Sequence, residues 1–137
     1  MKNILSIILI FLLSTSILCA DINKAADYVG KHALEKSSGK CAKYVANALE
    51  YGGFKFTRQG HAYQYHTNGI LKGIGFKVIS RPTSPKKGDV YVQLNTKSHT
   101  SGHIAMYDGK NWCSDFRQRT DQVYSSDAGQ RIYYRYS

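Results

Sequence analysis

The chain has few acidic side chains, few cysteines, no internal repeat, no low-complexity tract, and no long apolar run after its first twenty residues. The last absence excludes a membrane-spanning mature protein, because crossing a bilayer takes roughly 20 consecutive apolar residues. Lys2, the run Ile4 to Leu13, the break at Ser14-Thr15-Ser16 and then Ile17-Leu18-Cys19-Ala20 read together as a secretory signal peptide over residues 1–20. Without repeats or linkers, Asp21 to Ser137 is enough for one compact domain with its own core and too little for two. The shortage of acids leaves 19 Lys and Arg against 9 Asp and Glu, a formal net charge of +10. Such a field favours an anionic partner: nucleic acid, an anionic membrane surface or a bacterial wall polymer all carry the right sign. Only Cys41 and Cys113 remain once Cys19 leaves with the signal peptide, so one disulfide or two free thiols are the alternatives.

What is present divides the domain in two. Ala25, Ala26, Val29 and Ala33 recur at helical spacing within Ile22 to Leu34, and Ala42, Val45, Ala46 and Leu49 do so from Cys41 to Tyr51, before the stop at Gly52-Gly53. A third helix is expected from about His61 to Leu71. From Phe76 the period changes, and Phe76 to Ser80, Asp89 to Leu94, His103 to Tyr107, Trp112 to Phe116 and Arg131 to Tyr136 read as five strands. Asp108-Gly109 supplies the hairpin turn between the third and fourth. Helices first and an antiparallel sheet afterwards predict an α+β fold, with N-terminal helices packed on one face of about five strands.

Cys41 follows the turn-forming stretch Ser37-Ser38-Gly39-Lys40 and opens the second helix, where unpaired N–H groups and the helix dipole favour a thiolate. A thiol nucleophile needs a base within about 3 Å, and imidazole serves near neutral pH. Of five histidines, His103 is placed best, at the head of an apolar strand after Gly102, where a rigid element holds it. Asp115 is the carboxylate best placed to orient that imidazole, although the hairpin register leaves Cys113, Ser114, Asp115 or Phe116 opposite it. The oxyanion would meet the backbone N–H of Cys41.

These residues carry a family resemblance. The blocks Gly39-Lys40-Cys41-Ala42-Lys43-Tyr44-Val45, Lys87-Gly88-Asp89-Val90, Gly102 to Gly109 and Trp112 to Gln118 resemble those of papain-like peptidoglycan amidases of the NlpC/P60 and CHAP group. More narrowly they resemble type VI secretion amidase effectors and the secreted, domesticated amidase effectors of some eukaryotes. The resemblance implies a papain-like fold and a cysteine amidase or endopeptidase domain over 21–137. It would hydrolyse amide bonds in peptidoglycan stem peptides or crosslinks, with Cys41 as nucleophile, His103 as base and no metal or organic cofactor. The implied partner is bacterial peptidoglycan, not nucleic acid, and the implied state is a monomer. An injected effector needs no export signal, so the leader fits a secreted antibacterial protein better, or else a periplasmic wall enzyme.

Two other classes compete on composition. A basic exported ribonuclease would use paired histidines and keep Cys41 as a packing residue, but no second base pairs convincingly with His103. A non-catalytic wall-binding or inhibitor protein would sediment with sacculi and release nothing.

Overall fold

The computed structural model describes residues 19–126 and 128–137; the signal peptide read over residues 1–20 lies outside them except for Cys19 and Ala20. Helix α1 spans Ile22–His32, and its N-terminus is capped by Asp21, whose carboxylate accepts from the N–H groups of Asn23 and Lys24 at 2.9 and 3.2 Å. It stops two residues short of the expected Leu34. Ala33 turns extended, and Leu34 forms a bridge to Phe116 through bonds from its own N–H to Asp115 and from Arg117 to its carbonyl.

Helix α2 spans Cys41–Tyr51, as the periodicity predicts, and buries Val45, Ala46, Ala48 and Leu49. Its end meets the start of α1 so closely that a side chain at Gly52 would stand 2.7 Å from the Asp21 carbonyl. The expected third helix divides into α3 (Gln64–Thr67) and α4 (Ile70–Gly73), because Gly69 between them takes a left-handed φ of 67°.

Among the described residues six strands, not five, form one antiparallel sheet: β1 (Phe76–Ile79), β2 (Val90–Gln93), β3 (His103–Tyr107), β4 (Trp112–Cys113), β5 (Arg117–Gln118) and β6 (Arg131–Tyr136), in the order β1-β6-β2-β3-β4-β5. The extra strand arises where Trp112 to Phe116 was expected to run on. The chain turns after Cys113, and Ser114 to Phe116 lead back so that Arg117 pairs with Cys113 and Gln118 with Trp112.

Alternation along the strands sorts the core. Val90, Val92, Ile104, Met106, Cys113, Ile132 and Tyr134 pack with Ala25, Val29, Val45 and Leu49 of α1 and α2. The opposite face gathers Tyr91, Ala105, Trp112 and Tyr133 into a smaller cluster. The fold is therefore α+β, with α1 and α2 on one face of the sheet. Asp89 of the Lys-Gly-Asp-Val block is buried and takes a bidentate pair from Arg135 at 2.8 and 2.7 Å, tying the head of β2 to the tail of β6.

Candidate active site

Three parts of the fold converge beside the start of α2. The helix brings Cys41, the head of β3 brings His103, and the β4–β5 turn brings Asp115. All three line one cleft, with Gly39, Ser101 and Tyr124 completing its walls. A second cleft shares Gly39, Cys41 and Ser101 with the first and continues past Lys40, Lys43 and Arg58, so the thiol stands where the two meet.

Cys41 opens α2 without a side-chain cap at Lys40 and with no acidic residue in the first turn. The backbone N–H groups of Ile104, Ala42 and Cys41 itself favour its thiolate. Burial outweighs them, and with the Asp115 carboxylate nearby it pushes the thiol above its ordinary value. Burial thus works against the gain in thiolate expected at the helix start. No disulfide competes for it, because Cys41 and Cys113 are both free. Cys113 is buried on β4 within the core, and burial followed by the nearby Asp108 pushes its thiol up to about 12.

His103 is almost wholly buried at the head of β3. Its Nε2 lies 2.7 Å from Oε1 of Gln118, a residue of β5. The Gln118 Nε2 donates to the Tyr91 hydroxyl at 2.8 Å and to the Thr120 carbonyl at 3.1 Å. A carbonyl can only accept, so the amide orientation is fixed and its oxygen must face the ring. His103 Nε2 therefore carries the proton, and Nδ1 keeps the basic lone pair. Burial lowers the imidazole below its ordinary value, against the opposing influence of Gln118 and Asp115. The ring rests neutral at pH 7.

Asp115 shares the cleft, but its hydrogen bonds go elsewhere. Oδ2 accepts from the Ser38 N–H at 2.5 Å, the Ser38 hydroxyl at 2.9 Å and the Lys40 N–H at 3.3 Å, and Oδ1 accepts from Ser114 at 3.0 Å. Burial alone would raise this carboxyl, yet these donors together hold it below the usual range. Asp115 thus fastens the loop that delivers Cys41 and acts on His103 only through its field. The hydrogen-bonded partner of the imidazole is Gln118, which sequence reasoning passed over. It closes the block Trp112 to Gln118, and the turn that brings it back to the ring has no strong signal in the sequence.

The remaining histidines divide by place. His32 Nδ1 donates to the Tyr28 carbonyl within α1, and His66 is bonded to the Tyr134 hydroxyl. His61 holds Ser101 at 2.9 Å on the cleft wall. His99 stacks on Tyr124 with ring centroids 3.4 Å apart, forming one rim over the site. Among the described residues no group of three or more His, Cys, Asp or Glu is placed to hold a metal, and no helix is long and apolar enough to cross a membrane.

No family model and no curated protein matches this chain. Two solved structures do. One is the crystal structure of the type VI native effector–immunity complex Tae3–Tai3 from Ralstonia pickettii, 34% identical over 85% of this chain and 99% of that one, with a TM-score of 0.73. The other is the selenomethionine form of the same complex, 34% identical over 82% of this chain and 99% of that one, with a TM-score of 0.70.

Proposed function

The chain belongs to the family of the type VI effector Tae3, and from that membership and the Cys41–His103 cleft we propose that it is an exported cysteine amidase or endopeptidase cutting amide bonds of bacterial peptidoglycan. The observation that carries the reading is the tautomer of His103. With Nε2–H given to Gln118, only Nδ1 is left to take a proton, and the thiol shares the cleft with that ring.

In this reading both groups start neutral. A stem-peptide carbonyl enters beside Cys41, the thiol proton passes to Nδ1, and the sulfur bonds to the carbonyl carbon. The oxyanion so formed meets the N–H groups at the start of α2, whose first turn holds no acidic residue. The imidazolium returns its proton to the leaving amine as the C–N bond breaks. Water, deprotonated by the neutral ring, then releases the acyl group from sulfur and restores the thiol. The order of helix-borne cysteine, strand-borne histidine and a polar acceptor two strands along the sheet supports a papain-like, NlpC/P60-type placement.

The cations Lys40 and Lys43 beyond Cys41 suit a carboxylate-bearing stem, and the net charge of +10 suits an anionic wall. The proposed setting is antibacterial lysis by a secreted monomer. The neighbours are effectors bound to an immunity protein, so a protein that caps this cleft is the second class of partner proposed.

Purified Gram-negative and Gram-positive sacculi incubated with the mature chain should release new muropeptides, identified by mass spectrometry, and the Cys41→Ala protein should release none. Equal release by both proteins, or release by neither, would overturn the reading.

A further inference from the structure

Gln93 on β2 is wholly buried, yet neither its Nε2 nor its Oε1 has a hydrogen-bond partner. A buried amide with both ends unpaired costs folding free energy that an apolar side chain of the same volume does not. A group like that calls for an explanation other than stability.

Its place supplies one. In the β2–β3 ladder Gln93 pairs with His103, so the two side chains rise from one face of the sheet with Cβ atoms about 5 Å apart. The backbone is pinned there too, since Gly102 takes a left-handed φ of 67° and a Cβ on it would stand 2.2 Å from the Gln93 carbonyl. Tyr91, two residues earlier on the same face, holds Gln118, which in turn holds the ring. Gln93 therefore flanks the group in the site that must take on a positive charge.

The other groups facing that ring are engaged. Gln118 is spent on Nε2, Tyr91 on Gln118, and the Asp115 carboxylate on the Ser37–Lys40 loop. Cys41 approaches from α2, and Tyr124 comes edge-on from the segment after β5, its ring 6.2 Å from the imidazole. Among the described residues facing the ring, Gln93 alone keeps an unpaired amide.

We propose that Gln93 is a positioning residue, whose amide turns its oxygen toward His103 when the ring takes the Cys41 proton and so stabilises the imidazolium and the thiolate formed with it. The step moves one proton from Sγ to Nδ1 and forms or breaks no other covalent bond. It rests on the Cys–His reading of the site and not on the identity of the substrate.

The test needs no substrate. Alkylation of Cys41 by iodoacetamide is followed against pH in the whole mature protein, and the His103 ring is titrated by NMR in a Cys41→Ala background. Gln93→Leu should melt at or above the wild-type temperature, alkylate about tenfold more slowly at neutral pH, and lower the imidazole titration by about one pH unit. Gln93→Glu should move the titration the other way. A folded Gln93→Leu protein with wild-type alkylation and an unmoved titration would overturn the proposal. Should Gln93→Leu not fold, an unmoved titration in Gln93→Glu would do the same. Failure of the wild-type protein to cut sacculi would overturn the wall substrate and leave this test standing.

Discussion

Replacing Gln118 by Leu removes the acceptor that sets the His103 tautomer while keeping the volume of the side chain. Four bonds go: 3.3 Å from the Ser114 hydroxyl, which keeps Asp115 as an acceptor, and 2.7 Å to His103, 2.8 Å to Tyr91 and 3.1 Å to Thr120. An orphaned buried polar group costs about 1–3 kcal/mol, and Thr120 regains solvent more easily than the other two, so a loss of about 3 kcal/mol is expected. For a domain of this size that corresponds to roughly 10 °C in Tm by calorimetry. The kinetic effect is larger. With no acceptor at Nε2 the neutral ring can protonate at Nδ1 and turn its basic nitrogen away from the thiol. A wrong tautomer imposed on a hydrolase histidine costs about 10⁴ in kcat, and a mixed population of tautomers should cost about 10² to 10³. The assay is single-turnover cleavage of a soluble muropeptide at a temperature where calorimetry shows the variant folded. Gln118→Glu restores an acceptor and should recover most of the rate. A folded Gln118→Leu enzyme within about threefold of wild type would refute the assignment of Nδ1 as the base.

Cys41→Ala and His103→Ala should each abolish turnover by several orders of magnitude, and the double variant should lose little more, as muropeptide release will show. Asp115→Ala should cost about one to three orders in kcat by loosening the Ser37–Lys40 loop, with the NMR titration of His103 moving only through the loss of a distant charge. The pH profile of kcat/KM should rise below the ordinary imidazole value of 6.5, since burial lowers His103, and should fall only above the ordinary thiol range, since burial raises Cys41. Thermal melts should show stability falling in two acid steps. His103, lowered in the folded state, withdraws its share as pH drops through 6.5, and Asp115, also lowered, does so as pH drops below 3.8. Gly102→Ala should be severe, at more than about 2 kcal/mol in denaturant melts, because a left-handed residue gains a Cβ aimed at the Gln93 carbonyl.

The parts legible in the sequence were those written in local patterns. Helix α2 followed from its four apolar positions and the Gly52-Gly53 stop, and β3 from an apolar run between Gly102 and the Asp108-Gly109 turn. Cys41 and His103 could be named because a thiol at a helix start and an imidazole at a strand head are local features. What failed was set by distant contacts. Helix α1 ends early because Leu34 is recruited by Phe116, 82 positions along the chain by subtraction of their numbers. The strand expected over Trp112 to Phe116 folds back because the Asp115 carboxylate finds five donors on the Ser37–Lys40 loop and the adjacent Ser114. That fold-back carries Gln118 to the imidazole. The thiol's resistance to ionisation is likewise a product of packing, since dehydration by the surrounding fold overcame the dipole that the helix start supplies.

The turn between β4 and β5 is short, and from one end it grips the segment leading into Cys41 while from the other it sends out the side chain that steadies His103. Mechanically, nucleophile and base hang from a single bracket. A displacement of that turn carries both groups with it, and lengthening the bracket by one residue would pull the two halves of the machine out of step at once.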